Sequence, residues 1–223
     1  MARHGETVDN KNQRFTSTQP GKLTLRGMQH ASDLGKALSS LAIDRLVISD
    51  LQRVVDTSAC AISVSGKYIP ITYSVLLREI DFGAWIGKSI GEIRKAASGF
   101  DATRYLQMQE YDLRYMIEPM RKELAEHFAF EGLEHIAQRQ HCVLELLRQY
   151  AEQGCQGIMT ISHGCFNAYL VEGALHATCG EHIACRSDGG FFPQGHHEIT
   201  VLDVDSQGRI TNAQLNLPLE RLT

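Results

Sequence analysis

The chain lacks the sequence features of membrane and secreted proteins. It has no run of about 18 apolar residues, so the pattern predicts no membrane-spanning helix. No hydrophobic leader precedes Arg3, and we expect no signal peptide. The six cysteines are scattered and form no CxxC pair, which is typical of reduced thiols. Together these absences predict a cytoplasmic protein.

The sequence has neither the basic excess of a nucleic-acid-binding protein nor the ligand spacing of a metal site. Lysine and arginine number 22 against 26 acidic residues, a formal net charge of −4, whereas a nucleic-acid-binding protein normally carries a basic excess. Cys179, His182 and Cys185 lack the paired short spacing of a zinc site, so we expect no metal. An anionic small molecule fits this composition, because a few local arginines can make a positive pocket in an acidic protein.

Along the chain, short runs of β-branched residues alternate with longer segments of helical periodicity. This alternation is typical of an α/β protein, a three-layer sandwich whose mostly parallel sheet is flanked by helices. The predicted strands cover 45–49, 69–73, 157–162, 197–204 and 209–217. The predicted helices cover 24–41, 50–64 and 133–150, with a further helix after Gly164. The helix that Thr24 caps is expected to bury one face made of Leu25, Met28, Ala31, Leu34 and Leu38.

The middle of the chain, 89–150, is helical and rich in charged residues. We interpret residues from about 89 to 135 as a helical cap over the carboxyl ends of the strands. The cap is an insertion and not a separate domain, so the prediction is a single domain spanning 1–223.

The first chemical motif is the string RHGET near the start of the chain, followed by Asn10. A neutral imidazole can attack phosphorus when fixed cationic donors shield the phosphoryl charge. Arg3 adjoins the candidate nucleophile His4, and Gly5 would let the backbone approach the anion closely. Thr7 and Asn10 can donate further hydrogen bonds. The motif therefore favours phosphoryl chemistry.

Two further motifs follow predicted strands. The string SHG places His163 and Gly164 at the end of the strand at 157–162. Arg53 falls in the first turn of the helix at 50–64, near the positive end of the helix dipole, where an anion is favoured. Ligands of open α/β sheets bind at the carboxyl ends of the strands. Both His-Gly motifs are expected to emerge at that edge.

The fourth motif is an acidic, glycine-containing loop at 77–87 that holds the single tryptophan. Cleaving a phosphate ester needs a proton for the departing oxygen, and therefore a protonated carboxyl group nearby. Glu79 or Asp81 can serve. Asp81 is more typical of a surface loop in which Trp85 packs on the core.

In their order along the chain these motifs resemble the histidine phosphatase superfamily, specifically its phosphoglycerate-mutase-like branch. The matching blocks are RHGET with Asn10, L-T-x-x-G-x-x-x-A at 23–31, S-x-L-x-R at 49–53, L-x-E-x-D-x-G-x-W-x-G at 77–87 and S-H-G at 162–164. The resemblance implies that His4 is the nucleophile and Glu79 the proton donor. It implies a catalytic set of His4, Glu79, His163, Arg3 and Arg53. The substrate-binding set that it implies is Arg3, Thr7, Asn10, Arg53, His163 and Gly164.

The resemblance also implies catalysis without a metal or cofactor, because Arg3, Arg53 and His163 would supply the positive charge. One departure concerns the first strand, since only Met1 and Ala2 precede the motif where relatives have a hydrophobic strand. We expect this central strand to leave ladder groups unpaired and the nucleophile poorly held. A second departure is His196-His197, near where relatives commonly carry asparagine, and we expect it to alter the pocket rim.

The function implied is hydrolysis of a small phosphomonoester through a phosphohistidine. Two alternatives stay open. A mutase would return the phosphoryl group to another oxygen of a bound sugar acid, and a non-catalytic protein would only bind a phospho-ligand. The block at 78–83 is more similar to the phosphatases than to the glycolytic mutases. The expected partner is a small phosphorylated metabolite, with a homodimer as an option and neither nucleic acid nor a membrane involved.

Overall fold

Six strands form one mixed sheet in the computed structural model, which describes residues 1–89, 91–93, 126, 128–179, 194–205 and 209–222. The strands are β1 (Ala2–Arg3), β2 (Arg45–Ser49), β3 (Ile71–Ser74), β4 (Ile158–Ser162), β5 (Glu198–Val204) and β6 (Ile210–Pro218). Their order is β3-β2-β4-β1-β5-β6. The first four are parallel, whereas β5 pairs antiparallel with β1 and β6 with β5. The predicted mostly parallel sheet is confirmed.

Helices cover both faces of this sheet. They are α1 (Val8–Lys11), α2 (Leu25–Ser40), α3 (Gln52–Ser65), α4 (Leu133–Glu152) and α5 (Gly164–Cys179), with single 3-10 turns at Val75–Leu77, Gly83–Trp85 and Leu219–Arg221. Within the described residues no helix combines the length and apolarity needed to cross a bilayer.

The alternation of side chains along β2 shows how the three layers pack. Leu46 and Ile48 lie in one buried cluster with α2 and α3, which includes Leu38 and Val54. Val47 points to the opposite face and packs in a second cluster with residues of α4 and α5. Since successive side chains of a strand face opposite sides, a strand buried on both sides reads as a continuous apolar run. The predicted α/β sandwich is therefore confirmed.

The first turn of α2 does not present the predicted face. Thr24 caps the helix by accepting a hydrogen bond from the Gly27 amide over 2.9 Å, as expected. Leu25 and Met28, however, are 87% and 55% exposed, so their assignment to the core is wrong. The inward position of this turn belongs to Gly27, where a β-carbon would lie 2.0 Å from the carbonyl oxygen of Glu6. The first turn of α2 therefore turns Gly27 towards the core, because only glycine lets the helix backbone approach the backbone of Glu6 this closely.

The short strand β1 is paired on both sides. Ala2 lies opposite Ile161 of β4 and Ile199 of β5. The His4 amide donates to the Ser162 carbonyl over 3.0 Å, and the Met1 carbonyl accepts from the Thr200 amide over 2.9 Å. The expectation of unpaired ladder groups is wrong for these residues, because the neighbouring strands reach them despite the short length of β1.

A third buried cluster, rich in aromatic residues, lies beside the carboxyl end of the sheet. Trp85 is buried as predicted, and its ring centroid lies 4.8 Å from that of Phe130 and 5.5 Å from that of Phe15. Most of the predicted cap lies outside the described residues: of 89–135 these include 89, 91–93, 126 and 128–135. The cap therefore remains a prediction.

Candidate active site

His4 directly follows β1 and is almost completely buried. Its Nδ1 lies 2.7 Å from the carbonyl oxygen of Gly5, which can only accept a hydrogen bond. The hydrogen of the neutral ring therefore resides on Nδ1, and Nε2 keeps its lone pair. This tautomer has a nucleophilic nitrogen at Nε2.

Arg53, in the first turn of α3, binds that nitrogen. Its Nε donates to Nε2 of His4 over 3.1 Å. The two terminal nitrogens donate to the carbonyls of Gln19 and Ser17, the latter over 2.7 Å, and to Nδ1 of His163 over 2.9 Å. Four of the five N–H groups are thus used, which leaves one without a partner among the described residues. The prediction that Arg53 lies in the first turn of a helix is confirmed.

His163 follows β4 and is held by the same arginine. Because a guanidinium only donates, Nδ1 of His163 accepts, and the ring hydrogen lies on Nε2, 3.0 Å from the hydroxyl of Ser49. The ring centroids of His4 and His163 are 5.2 Å apart. The sheet thus brings together the two histidines of the His-Gly motifs.

Burial and neighbouring cations keep both imidazoles neutral. Burial, followed by the charge of Arg53, holds the pKa of His4 well below its ordinary value of 6.5. The same two causes hold the pKa of His163 well below 6.5. Burial lowers the pKa of Arg53 to about 10, so it stays charged at neutral pH. The expectation that His163 supplies positive charge is therefore wrong.

Glu79 lies beneath the amino end of α5. Its Oε1 accepts from the amides of Ile80 and Phe166, both over 3.0 Å, and its Oε2 accepts from the Cys165 amide over 3.3 Å. The positive end of the helix dipole adds to these contacts. Backbone donors thus surround the carboxyl group, whereas Asp81 accepts from the amide of Gly83 in its own loop.

A pocket between these elements collects most of the predicted site. It is lined by Arg3, His4, Asn10, Arg14, Phe15, Thr16, Ser17, Arg53, Glu79, Phe82, Gly164 and Cys165. Two members of the predicted binding set, Thr7 and His163, are not among these lining residues. His163 lies behind the lining residues instead, where it contacts Arg53 by a hydrogen bond and His4 by its ring.

Thr7 and Asn10 form a capping box for α1. The Thr7 hydroxyl accepts from the Asn10 amide over 3.2 Å, and Asn10 Oδ1 accepts from the Thr7 amide over 3.1 Å. This exchange fixes the Asn10 side chain with Oδ1 turned towards Thr7. The Nδ2 group of Asn10 makes no hydrogen bond to the described residues and is available as a donor. Thr7 therefore orients a pocket residue and does not line the pocket.

Two glycines of the motifs make room for close contacts. A β-carbon on Gly5 would lie 2.3 Å from the Gly27 carbonyl oxygen, so the missing side chain allows α2 to pack here. Gly5 is not among the residues that line the pocket, and its expected approach to an anion stays a prediction. The Gly5 amide donates to the Thr57 hydroxyl over 3.0 Å. At Gly164 a β-carbon would lie 3.0 Å from Cζ of Arg3, so this glycine leaves space for a guanidinium.

His196 is a second histidine that contacts His4. Its Nδ1 lies 2.6 Å from the carbonyl oxygen of His4, and the two ring centroids are 5.4 Å apart. Its ring also stacks on His30 at 5.9 Å. The side chain is half-buried and contacts the backbone of His4, so it does more than alter the pocket rim.

Comparison with known proteins identifies the family of the chain. The family model of the histidine phosphatase superfamily (branch 1) covers residues 1–212. The chain belongs to this superfamily. A curated relative, "Probable phosphoglycerate mutase GpmB" of Salmonella typhi, is 31% identical over 100 residues. That alignment covers 45% of this chain and 46% of the relative, so the chain spans about half the length of the curated relatives it matches.

Several solved structures share the fold along most of the chain. The α-ribazole phosphatase from Shigella flexneri is 21% identical with a TM-score of 0.69, covering 99% of this chain and 95% of its own. Phosphoglycerate mutase from Bacillus anthracis is 19% identical with a TM-score of 0.67, covering 86% and 88%. A mycobacterial glucosyl-3-phosphoglycerate phosphatase is 22% identical with a TM-score of 0.58, covering 78% and 79%. At these identities the likeness establishes the fold.

Sequence reasoning missed several residues that hold the histidine phosphatase motifs in place. The Gln194 carbonyl accepts from Arg3 over 3.1 Å, and its side chain joins Asn167 to the Met1 carbonyl. Ser17 accepts from Arg53 at its carbonyl and donates from its hydroxyl to the Ile80 carbonyl. These are uncharged residues outside the motifs, and nothing local in the sequence marks them.

Proposed function

We propose that this histidine phosphatase family member is a phosphatase that hydrolyses a small phosphomonoester through a phosphohistidine at His4. The orientation of its imidazole carries the proposal. Hydrogen bonding at Nδ1 leaves a lone pair on Nε2, and the low pKa keeps that nitrogen unprotonated at neutral pH. Arg53 and Arg3 line the same pocket and supply cationic donors for a phosphoryl group.

In the first step Nε2 of His4 bonds to phosphorus, while the bond from phosphorus to the ester oxygen breaks. The lone pair that receives the hydrogen bond from Arg53 is the one that attacks, so this hydrogen bond breaks as the new bond forms. The guanidinium is then free to donate to the phosphoryl oxygens. Arg53 thereby moves from holding the nucleophile to stabilising the transition state.

Glu79 supplies the proton that the departing alcohol takes up. Its Oε1 accepts two backbone hydrogen bonds, whereas Oε2 accepts one longer bond. Oε2 is accordingly the atom that carries the proton. In the second step water attacks phosphorus, Oε2 takes a proton from that water, and the bond from Nε2 to phosphorus breaks. Inorganic phosphate leaves, and both side chains return to their starting states.

A mutase is the second candidate, and the name of the Salmonella relative favours it. A mutase would perform the same first step and then return the phosphoryl group to another oxygen of the bound product. The outcome depends on whether water reaches phosphorus before the acceptor oxygen does. The residues of the pocket serve both reactions equally.

Rapid quenching in base during turnover of a radiolabelled phosphate ester tests the intermediate. We expect label on His4, none in His4→Ala, and normal labelling in the control His141→Ala, since His141 is exposed on α4. Label on another residue, or none, would contradict the phosphohistidine. Steady release of phosphate from p-nitrophenyl phosphate, without conversion of 3-phosphoglycerate to 2-phosphoglycerate, distinguishes hydrolysis from mutase activity. Phosphate binding without release from any ester would instead indicate a non-catalytic protein.

A further inference from the structure

A buried ion pair between Arg139 and Glu131 lies next to the proposed proton donor. The two side chains are 9% and 6% exposed. Nε of Arg139 donates to one carboxylate oxygen of Glu131 and a terminal nitrogen donates to the other, each over 2.7 Å. This two-point geometry fixes the orientation of both planar groups.

The pair holds the loop of Glu79 on both sides. Arg139 also donates to the carbonyls of Leu76 and Arg78, over 2.9 and 2.8 Å. Glu131 accepts from the Asp81 amide over 3.1 Å, and its own amide donates to the Asp81 carbonyl over 2.9 Å. One ion pair therefore fixes the residue directly before Glu79 and the second residue after it.

Arg139 also contacts the first turn of α5, whose amides donate to the carboxyl group of Glu79. Its guanidinium carbon lies 4.2 Å from the ring centroid of Phe166. The Phe166 amide donates to Oε1 of Glu79. The same guanidinium thus contacts both the loop that carries Glu79 and the helix turn that holds its carboxyl group.

Stability alone is a weak reason for such a pair. Removing two charges from water is expensive, and replacing a buried ion pair by apolar residues of similar volume is often neutral or stabilising. What an apolar pair cannot supply is a set of directed hydrogen bonds to the loop backbone.

We infer that Arg139 and Glu131 are positioning residues that hold Glu79 in the geometry for proton transfer. The inference rests on the proposed function, because it assigns the pair to the acid of that reaction. Arg139 acts through Glu79 and does not itself line the pocket among the described residues. A displacement of about 1 Å in a reacting group lowers a rate by about 100-fold.

Arg139→Lys tests this inference, because lysine keeps the charge but cannot donate to four acceptors in one plane. We expect kcat/KM to fall by about 10- to 100-fold for alkyl phosphates. It should change little for 2,4-dinitrophenyl phosphate, whose leaving group needs no proton. Arg148→Lys is the control, since Arg148 lies exposed on the same helix in ion pairs with Glu145 and Glu152. Where Arg139→Lys does not fold, Glu131→Gln is measured in the same way.

The variants are also compared in a Glu79→Gln background. If the pair acts through Glu79, Arg139→Lys should slow alkyl phosphate hydrolysis no further there. Equal loss for all leaving groups, or additive loss with Glu79→Gln, would overturn the inference in favour of a purely structural role.

The carboxyl ¹³C resonance of Glu79 supplies a readout that does not depend on turnover. It should shift in Arg139→Lys or Glu131→Gln and stay in place in Arg148→Lys. An unmoved resonance overturns the inference even in an active enzyme. A shifted resonance in a protein that hydrolyses no ester would support the positioning role and contradict the proposed function, so the two failures are distinguishable.

Discussion

The guanidinium of Arg53 donates a hydrogen bond from Nε to Nε2 of His4, 3.1 Å away. This contact joins the first turn of α3 to the end of β1, residues that lie 49 positions apart. Because a guanidinium can only donate, Nε2 of His4 must be the ring nitrogen that carries the lone pair. The orientation of the proposed nucleophile and the proposed stabilisation of the phosphoryl group after attack thus depend on one side chain.

Replacing this arginine by lysine should lower kcat/KM by about 10²- to 10³-fold, because one ammonium group cannot reproduce four hydrogen bonds of fixed geometry. Steady-state hydrolysis of p-nitrophenyl phosphate measures the loss. Arg26→Lys, an exposed change on α2, is the control and should leave the rate unchanged. An Arg53→Lys protein with full activity would contradict the role of Arg53.

The pH profile of kcat/KM gives a related prediction. Burial and the charge of Arg53 lower the pKa of His4, so the nitrogen stays unprotonated well below pH 6.5. Activity should therefore fall only as the pH drops through that lowered pKa. In Arg53→Gln the acid limb should move to higher pH, because a neutral side chain no longer disfavours the imidazolium. An unmoved limb would show that Arg53 does not act on the titration of His4.

Glu79→Gln should separate substrates by their leaving groups. Since glutamine carries no transferable proton, hydrolysis of alkyl phosphates should slow by about 10²- to 10⁴-fold. Hydrolysis of 2,4-dinitrophenyl phosphate should slow far less. A plot of log kcat/KM against leaving-group pKa measures this as a steeper slope. Equal slowing across the whole series would argue against Glu79 as the acid.

Gly164→Ala should weaken phosphate binding without unfolding the protein. The new β-carbon would lie 3.0 to 3.1 Å from three atoms of the Arg3 guanidinium, which must then shift. We expect the inhibition constant of inorganic phosphate to rise about tenfold, less than a full 1 Å misplacement would give. Gly132→Ala is the matched control, because a β-carbon there meets nothing within 4 Å and φ is −68°. Unchanged inhibition in Gly164→Ala would contradict a phosphate contact by Arg3.

Stability should fall in mild acid. The pKa values of His4 and His163 are lowered on folding, so below about pH 6.5 the unfolded chain binds protons that the folded chain does not. The free energy of unfolding should decrease below that pH by up to about 1.4 kcal/mol per pH unit for each histidine. Burial also lowers the pKa of the Met1 amino group from 8.0 to about 5, so a smaller decrease begins near pH 8. Urea unfolding at pH 7.5, 6.5 and 5.5 measures this slope.

The matched variants identify which groups cause the slope. His163→Gln should reduce it, whereas His141→Gln should not, because His141 is exposed on α4. Asp33, Asp44 and Asp50 contribute little in this window, since hydrogen bonds lower their pKa values further below the range tested. A flat stability between pH 7.5 and 5.5 would contradict two buried neutral histidines.

Strands and helix starts were predicted well where they depend on neighbouring residues in the sequence. The run at 45–49 became β2, and the Thr24 hydroxyl caps α2, because strand propensity and capping depend on neighbours in sequence. The helix predicted from 50 begins at Gln52, within the usual uncertainty of a helix end. The exposure of Leu25 and Met28 escaped prediction because α2 is positioned by the backbone of another segment.

The sequence by itself determined the family of the chain, the order of its sheet-forming segments and the candidate site residues His4, His163 and Glu79. These follow from residue types at fixed spacings, which are read without coordinates. Only the tertiary structure decided that His163 is neutral and that Thr7 orients Asn10. The same is true of Arg139 and Glu131, which hold the loop of Glu79 on both sides. Hydrogen bonds and desolvation act between groups that are close in space, and no local pattern encodes such pairs across the chain.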